Sequence, residues 1–486
     1  MTFTLEFVMK TTLSQKHILA KRFDIEKKIY NIVLSDIIKR VEEMHRTRRY
    51  RFAKKDHTPS GELTSFAKSE LKKLRKEYRL SSVHDFEKDI KRHRKFYKDN
   101  IDSQAGQKIA ARLWEAFEKI EFGDGEEFHF KRKNDLRTIQ GKSNKTGIRL
   151  VERPNGNFSI EWNGLSIPLK VKTDYENDAL KSNPICYCMI KRRPYPDGYK
   201  YYAVVVFDGQ RPWKYDKYTG VIKRQMGKGR VGLDIGVSTL AVASEKTVEM
   251  HELAPSAQKW SDKLRRIQRA KDRSMRKMNP HNYNSDGTIK KGAKQWRCSN
   301  RCKKLLSSER FIYSKLANIR EYEHHLLKNH VLSLGDEFYV ELMNFHKLQE
   351  RVEETQEDGS IHKKKHHGRS IGHRAPAKLL SFLEYAISAA GGTYTKINTY
   401  DARASQFNHD TETFKKKKLH QRWNHIQGKK IQRDLYSAFL IAHINDDLST
   451  FNLEGCREDY PKFKELHDLA VAELLNNQRF QNLWVL

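Results

Sequence analysis

Three acidic residues stand where apolar ones would be expected. Asp234 interrupts the strand-like run VGLDIGVSTLAVAS (231–244), in which Val231, Leu233 and Ile235 alternate with Gly232, Asp234 and Gly236. Glu341 sits at the end of a second short run, FYVELMNF. Asp434 lies within or just beside a helical face made by Ile431, Leu435, Ala438, Phe439 and Ala442. A charge in a core element is costly unless something pairs with it. Hard divalent cations are natural partners, because they prefer carboxylate oxygen. Singly, each residue has an ordinary explanation: Asp434 pairs with a nearby Arg, or Glu341 ends a strand at the surface. Jointly, in a strand, strand, helix, strand, helix context, they point to two Mg²⁺ ions roughly 3.5–4 Å apart and to phosphodiester hydrolysis.

The elements that must position these residues belong to a strongly basic chain. Its 486 residues carry 94 Lys plus Arg against 61 Asp plus Glu, a formal charge of +33. That excess suits a polyanion, nucleic acid first and an anionic membrane surface second. It is spread along the whole chain, as a large electropositive groove requires. The length implies two to four domains. No apolar run approaches the ~20 residues of a membrane span, and the N-terminus has no signal-peptide core, so a cytoplasmic location is expected. Five cysteines make no disulfide framework. Cys186 and Cys188 share a strand face, and Cys298 and Cys302 are one helical turn apart; neither spacing is a zinc knuckle, so no zinc is expected.

The fold class read from periodicity is α+β and multidomain. Residues 2–9 form a strand, and 14–122 are helical, with basic outer faces. From 123 the period becomes two: FSIEW, Asn163-Gly164 and LSIPLKV make one hairpin, ICYCMIKRR and YKYYAVVVF another. The expectation is an antiparallel β-barrel from 1–13 and 123–227, with 14–122 as a helical insertion. In the second half, a basic helix over 256–279 carries Lys263, Arg266, Arg269 and Arg273 near one face, candidates for phosphate contact. A long helix (about 298–334) precedes the Glu341 strand. The charged stretch 349–375, including HKKKHHGR, is expected to be a mobile loop. A helix–strand unit (PAKLLSFLEYAISAA, TYTKINTY) and the Asp434 helix follow, and 445–486 reads as a weakly helical tail.

The motif DIGVSTLAVAS alone also opens actin-like ATPases and sugar kinases. Those folds need a second Gly-rich phosphate loop, and Gly391-Gly392, between a helix and a strand, is not one.

Taken in order, the motifs resemble a known family. GLDIGVSTLAVAS resembles the first RuvC motif, FYVELMN the second and QRDLYSAFLIA the third, as found in transposon-encoded TnpB proteins and compact type V CRISPR effectors. The connecting segments SERFIYSKLANIREYEHHLLKNHV and KLLSFLEYAISAAGGTYTKINTYDARASQ are similar as well, so the likeness covers about 228–444. It implies an RNase H-like (RuvC) α/β nuclease domain at 228–403 and 427–444, behind a wedge-like barrel with a recognition insertion. It also implies a guide-RNA-directed DNA endonuclease in which Asp234, Glu341 and Asp434 hold Mg²⁺. The partners would be a guide RNA, read by pairing, and double-stranded target DNA carrying a short flanking motif; both strands would be cut at one site. Monomer and homodimer on one RNA both stay open. One departure stands out: after Ala404-Ser405-Gln406 the family usually carries two CxxC pairs in a zinc ribbon, and here 404–426 has no cysteine. His409, His420 and His425 do not replace four thiolates. The inferred substitute is a zinc-free target-loading insertion using Lys415, Lys416, Lys417, Lys418, Arg422 and Trp423, with Arg433 as a further phosphate contact. The alternative is an RNA-guided, repressor-like DNA-binding protein without cleavage.

Overall fold

The computed structural model describes residues 2–123, 125–216, 218–222, 225–292, 294–355, 361–365, 367–418 and 421–476. The chain divides into two compact units, Met1–Pro212 and Trp213–Leu486. The division lies ahead of the 227/228 boundary drawn from the sequence.

In the first unit, strand β1 (Thr2–Met9) leads into α1 (Leu13–Arg46) through a capping box. The Thr12 hydroxyl accepts from Gln15 N at 3.2 Å, and Gln15 returns the bond to Thr12 N at 3.0 Å. Helices α2 (Arg48–Ala53), α3 (Ser65–Glu77), α4 (Val83–Arg94) and α5 (Ser103–Glu121) complete the helical block. The strands are β2 (Thr138–Gln140), β3 (Arg149–Glu152), β4 (Phe158–Trp162), β5 (Leu165–Lys170), β6 (Ile185–Tyr195) and β7 (Gly198–Asp208), with α6 (Asp174–Ser182) between β5 and β6. Asn163 and Gly164, both at positive φ (42° and 75°), make the tight turn that sets Trp162 opposite Leu165. Helices and sheet share one core, including Phe7, Phe23, Phe86, Phe117 and Trp162. Arg22 of α1 ties them together, donating to the Trp162 carbonyl at 2.9 Å.

The expected barrel is not closed. The seven strands form an antiparallel sheet in the order β2-β6-β7-β1-β5-β4-β3, with β2 and β3 as free ends. Closure would need these two to pair, and they are only three and four residues long. The β1–β5 seam is equally short, two register pairs next to Pro168, which has no N–H to give.

The second unit is built on a five-stranded sheet of order β10-β9-β8-β11-β14. Strands β8 (Arg230–Ile235), β9 (Thr239–Ser244) and β10 (Val248–Glu252) are an antiparallel meander. Helices α7 (Ala257–Met278) and α8 (Asn300–Leu332) then carry the chain back to β11 (Glu337–Leu342), which pairs parallel with β8. A hairpin, β12 (Arg351–Thr355) and β13 (Ile361–Lys365), is followed by α9 (Gly368–Arg374), α10 (Pro376–Ala389) and β14 (Thr393–Asn398), parallel to β11. After α11 (Thr399–Ala402) come two short ladders, β15 (Phe407–Asn408) with β16 (Thr413–Phe414) and β17 (Trp423–Ile426) with β18 (Lys429–Gln432). Helices α12 (Arg433–Ala442) and α13 (Leu453–Asn476) end the described chain.

Two expectations change here. The described part of 349–375 holds a hairpin and a helix: β12 and β13 pair from Arg351↔Lys365 to Thr355↔Ile361, and residues 356–360 and 366 of the expected loop lie outside the described residues. The tail holds a 24-residue helix, α13, whose buried Cys456, Tyr460, Phe463, His467, Ala470 and Leu474 recur every three or four residues. Among the described residues no helix is long and apolar enough to cross a membrane.

Candidate active site and nucleic-acid-facing surfaces

Strand alternation decides what Asp234 meets. Val231, Leu233 and Ile235 face one layer, where they pack with Val331 and Leu332 of α8 and Leu379, Leu383 and Ile387 of α10. Gly232 and Asp234 point the other way, toward α12. The approach is very close: a Cβ on Gly232 would lie 2.0 Å from the Ala438 carbonyl oxygen and 2.5 Å from Ala442 N. Gly232 therefore lets the α12 backbone lie directly on β8. Asp434, one turn before Ala438 (~6 Å along the axis), is carried toward Asp234 by that contact.

Glu341 arrives from the neighbouring strand. The parallel ladder ends with Val340 opposite Leu233, and Glu341 and Asp234 each follow that last pair by one residue, on strands ~4.8 Å apart. All three residues are intermediate in exposure. Asp234 is held well above the usual carboxylate range, first by burial and then by the Asp434 and Glu341 carboxylates; Arg433 and the Ser437 hydroxyl partly offset this. Burial pushes Glu341 up to about 7. Its Oε1 is buried without a hydrogen-bond partner. An orphaned carboxylate oxygen beside Asp234, whose ionised form is opposed by burial and by the Asp434 and Glu341 carboxylates, belongs to a donor set that lacks positive charge. Hard cations fit it.

Some of that charge comes from arginine. Arg433 Nε and Nη2 donate to Asp434 Oδ1 at 3.0 and 2.9 Å, and Arg422 Nη1 lies 3.7 Å from Oδ2. Gln432 caps α12, its Oε1 accepting from Leu435 N at 2.7 Å. Its own backbone N–H donates to Nε2 of buried His467 on α13, at 2.9 Å. The supposed tail thus fixes the end of the helix that carries Asp434. Ser437 falls within QRDLYSAFLIA without being singled out there, and His467 is visible only as one buried position in the periodicity of α13.

This architecture has solved counterparts. No protein-family model and no curated protein sequence matches the chain. Among solved structures, a cryo-EM structure of a Cas12f1–sgRNA–target DNA complex matches over 90% of this chain and 84% of that one, with TM-score 0.50 and 13% identity. The chain shares the fold of the Cas12f1 protein in that complex. A second cryo-EM structure, of a CRISPR-Cas12f ternary complex, aligns over 89% of this chain and 83% of that one at 12% identity, with TM-score 0.28.

On this Cas12f-like fold the sequence-selected cations fall into two groups. Lys263, Arg266, Arg269 and Arg273 are all exposed along α7, whose other face packs Leu264 against Ile312 and Leu316 of α8. Lys263 also lies over the Trp260 ring, 5.1 Å from its centre. In the 404–426 insertion, Lys415, Lys416 and Lys418 are exposed. Lys417 is turned inward, donating to Asn424 Oδ1 at 2.6 Å, and burial lowers its pKa. Trp423 is covered by Lys430 at 4.3 Å, and Arg422 and Arg433 are drawn to Asp434. His409 is a core residue, its Nδ1 2.7 Å from the Tyr436 hydroxyl. His425 is exposed and His420 lies outside the described residues. All five cysteines are free. Burial raises Cys188 to about 12 and Cys302 to about 11.

Proposed function

We propose that the chain is a guide-RNA-directed, Mg²⁺-dependent DNA endonuclease. The observation that carries this is the gathering of Asp234, at the end of the β8–β11 ladder, with Glu341 and Asp434, with Glu341 Oε1 unsatisfied. The sheet order, an antiparallel meander joined to two parallel strands, supports reading the second unit as an RNase H-like (RuvC) nuclease domain. The solved neighbour with TM-score 0.50 is an RNA- and DNA-bound complex, which supports a guide RNA and a target duplex as the partners here.

Asp234, Glu341 and Asp434 would hold Mg²⁺; bound there, a metal pair activates water and stabilises the leaving oxygen of the phosphodiester. The chain's own residues do the positioning. Gly232 sets the α12 approach, Gln432 and His467 fix the first turn of α12, and Arg433 holds Asp434 and turns it away from bulk water. The first unit would read the flanking motif, and the exposed cations of α7 and of the 404–426 insertion would hold backbone phosphates.

The decisive experiment is cleavage of a guided supercoiled plasmid by the RNA-bound protein in Mg²⁺. Wild type should cut, and Asp234→Asn should cut at least about 10³-fold more slowly. Equal rates would remove Asp234 from the chemistry. RNA-dependent, sequence-directed DNA binding with no cleavage by wild type would favour the repressor-like alternative, to which the engagement of Asp434 by Arg433 and Arg422 lends some support.

A further inference from the structure

We propose that Glu249, His251 and His330 form a separate binding site for a borderline transition-metal ion of the Zn²⁺ class. Glu249 and His251 are two apart on β10, so they project from one face of an edge strand. His330 comes from the last turn of α8, 81 residues from Glu249. Glu249 Oε2 is 2.7 Å from His251 Nε2 and 2.6 Å from His330 Nε2. Among the described residues this is the group of three ligand atoms that lie within 4.8 Å of one another. From rings 5.3 Å apart at 70°, both Nε2 atoms converge on Glu249 Oε2.

The donor chemistry selects the ion. Two imidazoles and one carboxylate suit Zn²⁺, Co²⁺ or Ni²⁺, whereas Mg²⁺ prefers all-oxygen ligation. Bonds of ~2.0–2.1 Å in a tetrahedron set ligand atoms roughly 3.3 Å apart, so Glu249 Oε2 needs to part from each imidazole by less than an ångström. Support for the carboxylate is already in place: Thr247 Oγ1 donates to Glu249 Oε1 at 2.7 Å, leaving Oε2 for the ion. The fourth position faces a cavity of about 870 Å³ between β10, α8 and α13, into which Glu323 and Glu473 also open. In a chain of formal charge +33, that cavity is a local concentration of carboxylates. An ion here would staple the sheet edge to the end of α8, just ahead of the strand that carries Glu341.

The site is independent of the proposed nuclease centre, so its test is run with that centre filled. The full chain, stripped with chelator and returned to excess Mg²⁺, is titrated calorimetrically with Zn²⁺. One ion per chain should bind, and the melting temperature should rise by several degrees. Co²⁺ should give the visible bands of a four-coordinate nitrogen–oxygen site with no thiolate charge-transfer band. His251→Ala/His330→Ala should weaken binding by at least about 100-fold, and Thr247→Val by about tenfold. Glu249→Gln, which keeps the side-chain shape, should abolish the melting shift while melting like wild type without metal. Asp234→Asn and Cys298→Ser/Cys302→Ser should bind as wild type does. Absence of a stoichiometric ion, undiminished binding by the double histidine variant, or a thiolate band would overturn the proposal.

Discussion

At the level of single residues, the candidate centre makes an unusual statement about stability. Burial raises the proton affinity of both Asp234 and Glu341, and at Asp234 the neighbouring carboxylates add to it. Removing one of these charges should therefore stabilise the metal-free protein while destroying activity, the trade-off expected of groups kept for function. Asp234→Asn and Glu341→Gln should each raise the metal-free melting temperature, by ~2–4 °C per kcal/mol of relieved repulsion for a domain of this size. Each should also lose the further rise that Mg²⁺ gives wild type. Scanning fluorimetry with and without Mg²⁺ checks both. A lower metal-free melting temperature in both variants would mean that these carboxylates are structural. The signal that revealed them in the sequence was the same energetic conflict, a charge inside an apolar run. Arg433 was equally visible but was read as a phosphate contact. Its bond to Asp434 is a local one between sequence neighbours, made where β18 passes into α12.

Elements succeed or fail on local rules. The β4–β5 hairpin was legible because Asn163 and Gly164 both take the positive φ that its turn needs. The β12–β13 hairpin was not, because its strands are charge-rich and lack apolar alternation. Helix α13 was obscured by Pro461 and by acidic and basic residues filling its outer face. Sheet closure depends on the lengths of β2 and β3, which periodicity leaves open. The packing of α12 on β8 is the element contact on which the centre rests, and Gly232→Ala tests it. Its Cβ would meet backbone atoms, which have no rotamer to yield. Overpacking of this kind costs ~1–3 kcal/mol or more. The variant should melt lower and cut poorly with all three carboxylates intact; wild-type behaviour would show that α12 shifts freely.

A second element-level test concerns α1. Glu26 is buried against Arg112 of α5 at 2.8 Å, with its Oε2 unpartnered. Burial, opposed by Arg112, pushes it up to about 7. A carboxyl raised in the folded state contributes stability that is complete below its unfolded pKa of ~4.3 and is lost as pH rises through about 7. Urea unfolding should thus show the first unit losing on the order of 2 kcal/mol between roughly pH 5.5 and 8. Glu26→Gln should flatten that slope. An unchanged slope would mean that Arg112 fully compensates the buried charge.

For the whole molecule, the question is whether the +33 charge acts as a diffuse field or through particular helices. A diffuse field would attract RNA and DNA without depending strongly on any one stripe. Direct neutralisation of phosphates releases counterions, so the logarithm of the binding constant falls with the logarithm of salt by ~0.7–0.9 per phosphate engaged. Lys263, Arg266, Arg269 and Arg273 share the exposed side of α7, while the apolar side of the helix is committed to α8. If all four meet phosphates, changing them together to glutamine should reduce the salt slope by roughly 3. The fold should survive, since none of the four is buried. The matched comparison is Lys415, Lys416 and Lys418 to glutamine, which probes the cysteine-free insertion in the same assay. Fluorescence anisotropy against guide RNA alone and against the RNA-bound protein with target DNA would assign each stripe to one strand. A slope unchanged in both assays would show that α7 stands off the backbone and that its basic face serves only the general field.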